Sequence, residues 1–160
     1  MKLLLLHSDY LEYELKDKTK FAEKADVKKE RLEECLAAFV TVEKKDELSA
    51  QEVVVKAAEE IENIANTVKT KSIFVYPYAH LSSSLATPSM ATEIVKDLAQ
   101  QLSERKFTVL KAPFGWYKAF KISCKGHALS ESSREITAEP EKIKREEVLK
   151  GIKGEYYILT

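Results

Sequence analysis

Two short stretches hold the side chains best placed to do chemistry. Ala112–His127 reads APFGWYKAFKISCKGH. Pro113 and Gly115 launch a run rich in aromatic and β-branched residues, the pattern of a strand. Alternate side chains of a strand share a face. Trp116, Lys118, Phe120, Ile122 and Cys124 therefore fall on one side, and Tyr117, Ala119, Lys121 and Ser123 on the other. Lys118 stands in the middle of an otherwise apolar stripe. Burying an ammonium without a partner costs several kcal/mol, comparable to the net stability of a small domain. Such a lysine either pairs with a carboxylate or positions a substrate or water. The second stretch, Ile73–Ala79 (IFVYPYA), reads as a central strand that opens into His80-Leu81-Ser82-Ser83-Ser84. Strand ends that give way to loops bearing imidazole and hydroxyl groups are common places for ligand chemistry.

Other chemistries find no support in the pattern. The three histidines and two cysteines (Cys35 and Cys124) show no zinc or iron spacing. Four glycines do not supply a phosphate-cradling loop, and the serines after His80 lack a nucleophile elbow. No metal and no cofactor are expected. Lys+Arg and Asp+Glu are equal at 26 each, which argues against gripping long nucleic acid by net charge but leaves recognition of one nucleotide end open. The widely spaced cysteines fit a reducing, cytoplasmic setting. The apolar start MKLLLL is too short for a signal peptide or membrane span and reads as a first strand.

The elements that must position these residues follow from periodicity. Lys2–Leu6 reads as a strand, His7-Ser8-Asp9 as a turn, and Tyr10–Leu15 as a second strand with Glu12 and Glu14 on one face. Asp17–Glu30 reads as a solvated loop or frayed helix, and Leu36–Val42 as a strand. A helix is predicted from Ser49 as N-cap, with Glu52 completing a capping box and Val54, Ala57, Ile61, Ile64, Ala65 and Val68 at helical spacing. Thr87-Pro88 opens a second helix whose inner face is Ala91, Ile94, Val95, Leu98 and Leu102, and Phe107–Leu110 is a strand. The middle of the chain is thus β-α-β-α-β. With the early strands it implies one α/β domain on a mixed sheet. After a polar loop, Arg134–Thr137 reads as a short strand, Glu141–Lys150 as a charged helix or linker, and Tyr156–Leu159 as the start of a new strand.

Three segments carry a family resemblance: HSDYLEYE at 7–14, VYPYAHLSS at 75–83, and KAPFGWYKAFKISCKGHALSE at 111–131. Together they resemble the N-terminal editing domain of archaeal threonyl-tRNA synthetases, a domain similar in fold to D-aminoacyl-tRNA deacylases. The resemblance runs over about residues 1–137, is weak over 17–32, and leaves 138–160 as the connection to a further synthetase domain. It implies hydrolysis of mischarged seryl-tRNA(Thr), with the terminal 2′-hydroxyl taking part, and pairing as a homodimer. Carried over residue by residue, it implies Lys118, His80 and Glu131 as catalytic residues. Tyr117, Ala79, Tyr76, Pro77, Phe114, Gly115, Ser82 and Lys121 are implied around the aminoacyl-adenosine end. Strand parity separates Tyr117 from Lys118, so both reach one pocket only where the strand twists, bulges or begins.

Overall fold

The computed structural model describes residues 1–138. The expected elements over 141–150 and 156–159 lie outside them. Among the described residues, six strands form one mixed sheet: β1 (Lys2–Lys18), β2 (Lys29–Thr41), β3 (Ser72–Pro77), β4 (Thr108–Lys111), β5 (Trp116–Cys124) and β6 (Glu131–Glu135). Helices α1 (Ala50–Val68) and α2 (Pro88–Glu104) connect β2 to β3 and β3 to β4. The spatial order is β4-β3-β2-β1-β5, with β6 also beside β1. β2, β3 and β4 run parallel, and β1 is antiparallel to β2, β5 and β6. The β-α-β-α-β core read from periodicity is therefore present. Both helices pack on one face, where Val54, Ala57, Ile61, Ile94, Val95 and Leu98 meet Leu3, Leu5, Ala38, Val40, Ile73 and Val75.

The first two strands differ from the sequence reading. The expected turn at His7-Ser8-Asp9 is an irregularity inside one 17-residue strand, where the register against β5 shifts between Ser8 and Tyr10. Opposite Asp9, Glu34 takes a left-handed backbone with φ of 48°. The parity of both strands changes there. Leu3 and Leu5 face the helices, whereas Leu11, Tyr13 and Leu15 face the other side of the sheet with Cys35, Ala37, Phe39, Phe74 and Tyr76. Lys125 bridges the two irregular positions, at 2.6 Å from Asp9 and 2.8 Å from Glu34. A strand that bends in this way reads locally as two strands and a turn.

Lys29 and Glu30, the end of the expected loop, begin β2, which runs on through 31–35 ahead of the expected start at Leu36. Its charges pair across the ladder: Glu12 stands 3.7 Å from Lys29 and 3.6 Å from Arg31, whose guanidinium lies over the Tyr10 ring. Ser49 is the N-cap position of α1, but the capping box expected at Ser49 and Glu52 forms six residues earlier, between Glu43 and Asp46, at the head of a 3-10 helix over Lys44–Ser49. Asp46 is held there because it also receives the Met1 amine at 2.8 Å. The last strand spans 131–135, slightly ahead of the expected 134–137, because its pairing with Leu6 through Lys2 sets its limits.

Candidate active site

Parallel strands bring ligands to their carboxyl ends, and a cavity of about 460 Å³ opens there. Val40–Val42 from the end of β2 and Tyr76–His80 from the end of β3 line one side. The first turns of α2 contribute Pro88, Ala91 and Val95, and the β4–β5 turn with the start of β5 contributes Phe114–Lys118 and Phe120. The wall is mainly apolar, and the volume lies in the range of small-ligand pockets.

Lys118 is the charged group within it. Strand parity points it inward with Trp116 and Phe120, as the alternation predicted, onto the apolar side formed by Phe39 and Tyr76. Its Nζ donates only a long hydrogen bond, 3.3 Å, to the Trp116 carbonyl, and sits 5.2 Å from the centre of the Tyr76 ring. No carboxylate among the described residues forms an ion pair with it. Burial, reinforced by the neighbouring Lys111 cation and opposed by Glu23, brings its pKa down to about 8. The carboxylate-paired alternative for Lys118 is thus not what the structure shows. A partly desolvated ammonium faces the cavity.

Most of the other expected residues gather around it. Tyr76, Pro77, Ala79, His80, Phe114, Gly115 and Tyr117 line the same cavity. His80 stands at the exposed rim, edge-on to Tyr78 at 5.0 Å. Burial raises the Tyr76 hydroxyl above the usual phenol range, so it stays protonated. Tyr117 reaches the rim from the opposite parity because it is the second residue of β5, beside an irregular register between Leu15 and Lys18, and the residue is 67% exposed.

Three expected residues lie elsewhere. Ser82 gives its hydroxyl to Glu43 at 2.6 Å and anchors the loop after His80. Lys121 is exposed on the other face of β5. Glu131 starts a strand instead of sitting in a loop, paired with Leu6, whereas Lys118 pairs with Leu15. Nine positions along β1 separate them by roughly 30 Å, which rules out a Glu131–Lys118 contact within one chain. Thr19, Trp116 and Phe120 also line the cavity and were not singled out. Trp116 and Phe120 share the Lys118 stripe, so parity could have found them. Thr19 comes from a segment with no local signal.

A lysine-bearing cavity at the carboxyl ends of parallel strands defines the class of site: a small pocket able to hold and polarise a compact ligand. The sequence then places it more narrowly. Residues 1–136 match the model of the archaea-specific editing domain of threonyl-tRNA synthetase, and the chain belongs to that family. A threonine–tRNA ligase of Methanocaldococcus jannaschii is 54% identical over 160 residues, covering all of this chain and 25% of the relative. That of Pyrococcus horikoshii is 54% identical over 170 aligned residues, again covering all of this chain and 27% of the relative. The chain spans about a quarter of the length of these relatives. Among solved structures, the c-Myc DNA Unwinding Element Binding Protein has the same fold, with a TM-score of 0.67 at 10% identity over 86% of this chain and the whole of that one. Among the described residues, no helix is long and apolar enough to cross a membrane.

Proposed function

We propose that this chain is a proofreading hydrolase that cleaves L-serine from mischarged seryl-tRNA(Thr) and spares threonyl-tRNA(Thr). The observation that carries the reading is Lys118, an ammonium without a carboxylate partner facing an apolar cavity. Serine is threonine minus one methyl group, and a methylene-sized difference is worth only ~1–3 kcal/mol in binding. A second pocket that excludes the extra methyl by overpacking can discard the error. The aminoacyl ester is activated, so positioning a water and stabilising the developing oxyanion are sufficient.

In this reading the backbone of Tyr76–Ala79 and Phe114–Gly115 holds the aminoacyl-adenosine end. Lys118, mainly protonated at neutral pH with its pKa near 8, orients the ester and the attacking water. The terminal 2′-hydroxyl lies beside that water. His80 shapes the rim. No cofactor is required. The partners proposed are the 3′ end of tRNA(Thr), the rest of the synthetase, and a second copy of the chain, which would cover the open edge strand β5.

The test is deacylation of Ser-tRNA(Thr) and Thr-tRNA(Thr) by this chain and by Lys118→Met. Rapid loss of serine only, slowed at least about a hundredfold by the substitution, is expected. Loss of a D-aminoacyl ester instead would make the chain a D-aminoacyl-tRNA deacylase. Binding that protects the serine ester would make it a non-catalytic module.

A further inference from the structure

The segment between β1 and β2 carries no charge pattern that singles out one residue, yet the fold threads it against the cavity wall. Thr19 N–H and Oγ1 both donate to the Gly115 carbonyl, at 3.0 and 2.7 Å. Four residues later Glu23 makes a second set of bonds to the same turn. Its N–H donates to the Phe114 carbonyl at 2.9 Å, and its carbonyl accepts the Trp116 indole N–H at 2.8 Å. Its Oε1 accepts both the Phe114 N–H at 2.6 Å and Lys111 Nζ at 2.7 Å. Phe21, between them, lies so close to Gly115 that a β-carbon there would meet its carbonyl at 2.6 Å.

We propose that Glu23 is a positioning residue of this site: its carboxylate fixes the Phe114–Gly115 turn that forms the cavity wall and pairs with the Lys111 ammonium, balancing its charge beside Lys118. The proposal rests on the functional reading above and names a residue outside the stretches that suggested it. Glu23 and Lys111 are mostly buried, with 14% and 21% of their side chains exposed. Low-dielectric surroundings let each act strongly on its neighbours. Lys96 is the further cation near this carboxylate, 3.9 Å from Oε2. The titratable groups around Lys118 are Lys111 from β4, Glu23 from the β1–β2 segment, Tyr76 from β3, Tyr78 and His80 from the following loop, and Tyr117 beside it. Of these, Lys111 lowers the Lys118 pKa and Glu23 raises it. Removing one member of the pair should therefore move Lys118 in a direction that depends on which member is lost.

The experiment follows the Lys118 Cε–Hε resonance by pH titration in the lysine-labelled chain, assigned with Lys118→Met, alongside the pH–rate profile for seryl ester hydrolysis. Glu23→Gln keeps an oxygen for the Phe114 N–H and Lys111 but loses the charge. It should shift the Lys118 midpoint down by roughly half a unit. Lys111→Met should shift it up by a similar amount. Glu23→Ala removes the acceptor as well, and should lower kcat/KM for the seryl ester about tenfold with faster exchange of the Phe114 amide. General damage to the fold does not produce opposite shifts from Glu23→Gln and Lys111→Met, so that pair of signs supports the proposal. An unmoved Lys118 midpoint in both variants overturns it, as does an unchanged Phe114 amide in Glu23→Ala. If the parent chain hydrolyses neither ester, the proposed reaction fails while the titration and amide exchange still decide the role of Glu23.

Discussion

Replacing Lys118 by methionine should make the protein more stable at neutral pH, although it removes a central residue of the site. Methionine has a similar length, suits the apolar lining of Phe39, Tyr76 and Phe120, and carries no charge. The Lys118 pKa falls from its ordinary 10.5 to about 8. At ~1.4 kcal/mol for each pH unit, the gap corresponds to an upper bound of about 3.5 kcal/mol of destabilisation from the buried ammonium. Solvent reaching the cavity mouth reduces that figure, so a gain on the order of 1–3 kcal/mol is expected. Below pH 8 the lysine is protonated in both the folded and the unfolded chain, and the full cost is present. Between 8 and 10.5 the folded chain releases its proton before the unfolded chain does, so the unfolded state holds more protons and stability rises with pH. Above 10.5 both are neutral and the charge cost is gone. Urea unfolding of parent and variant at pH 7 and at pH 10 tests this. The part of the stability gap that comes from the charge should be full at pH 7 and reduced to roughly a quarter at pH 10, just below the ordinary lysine pKa. A variant less stable than the parent at pH 7, or a gap independent of pH, would refute the view of Lys118 as a strained ammonium.

Two further outcomes probe the elements around the cavity. Gly115→Ala must adopt φ of +83° and place a β-carbon 2.6 Å from the Phe21 carbonyl, whereas Gly126→Ala adopts a similar φ of +81° with nothing within 4 Å. Thermal unfolding should therefore show a loss on the order of 2–4 kcal/mol for Gly115→Ala and about 1 kcal/mol for Gly126→Ala; equal losses would show that the approach of 19–23 to the turn is loose. At the opposite end of β1, His7 Nδ1 lies 2.7 Å from His127 Nε2, while the Leu129 N–H donates to His127 Nδ1, so His127 carries its proton on Nε2 and donates to His7. Burial first, then His127 and Lys125, lower the His7 pKa below 6.5 against the pull of Glu34 and Asp9. A depressed histidine pKa means that stability present at neutral pH is lost as the pH falls below 6.5 and the unfolded chain binds its proton first. A pH series of unfolding midpoints from 7.5 to about 5 should thus fall less steeply in His7→Gln; identical slopes would show that His7 takes no part in acid sensitivity.

The sequence by itself determined the features that repeat over short distances. Helical spacing located α1 and α2, and the period-two pleat put Lys118 on the apolar side of β5 with Trp116 and Phe120, because side-chain direction along one element is set by backbone geometry alone. The short apolar run ending at His80 likewise marked the strand whose carboxyl end carries the cavity. Tertiary structure decided what depends on partners far along the chain. The parity change at Asp9 and Glu34 is held by Lys125, more than 100 residues after Asp9 in the sequence, and no local pattern shows that a strand will bend and continue. Lys29 and Glu30 look like the end of a solvated segment, and 31–35 carry no strand signal, until Glu12 and Tyr10 supply cross-strand partners for Lys29 and Arg31. Glu131 falls at the far end of β1 from Lys118 because β6 and β5 share one edge of that strand, a matter of long-range pairing and not of sequence spacing. Glu23 is one acid among many in a charged stretch. What sets it apart is the cavity-wall turn it meets about 90 residues later, where two donors, Lys111 and the Phe114 N–H, converge on one oxygen.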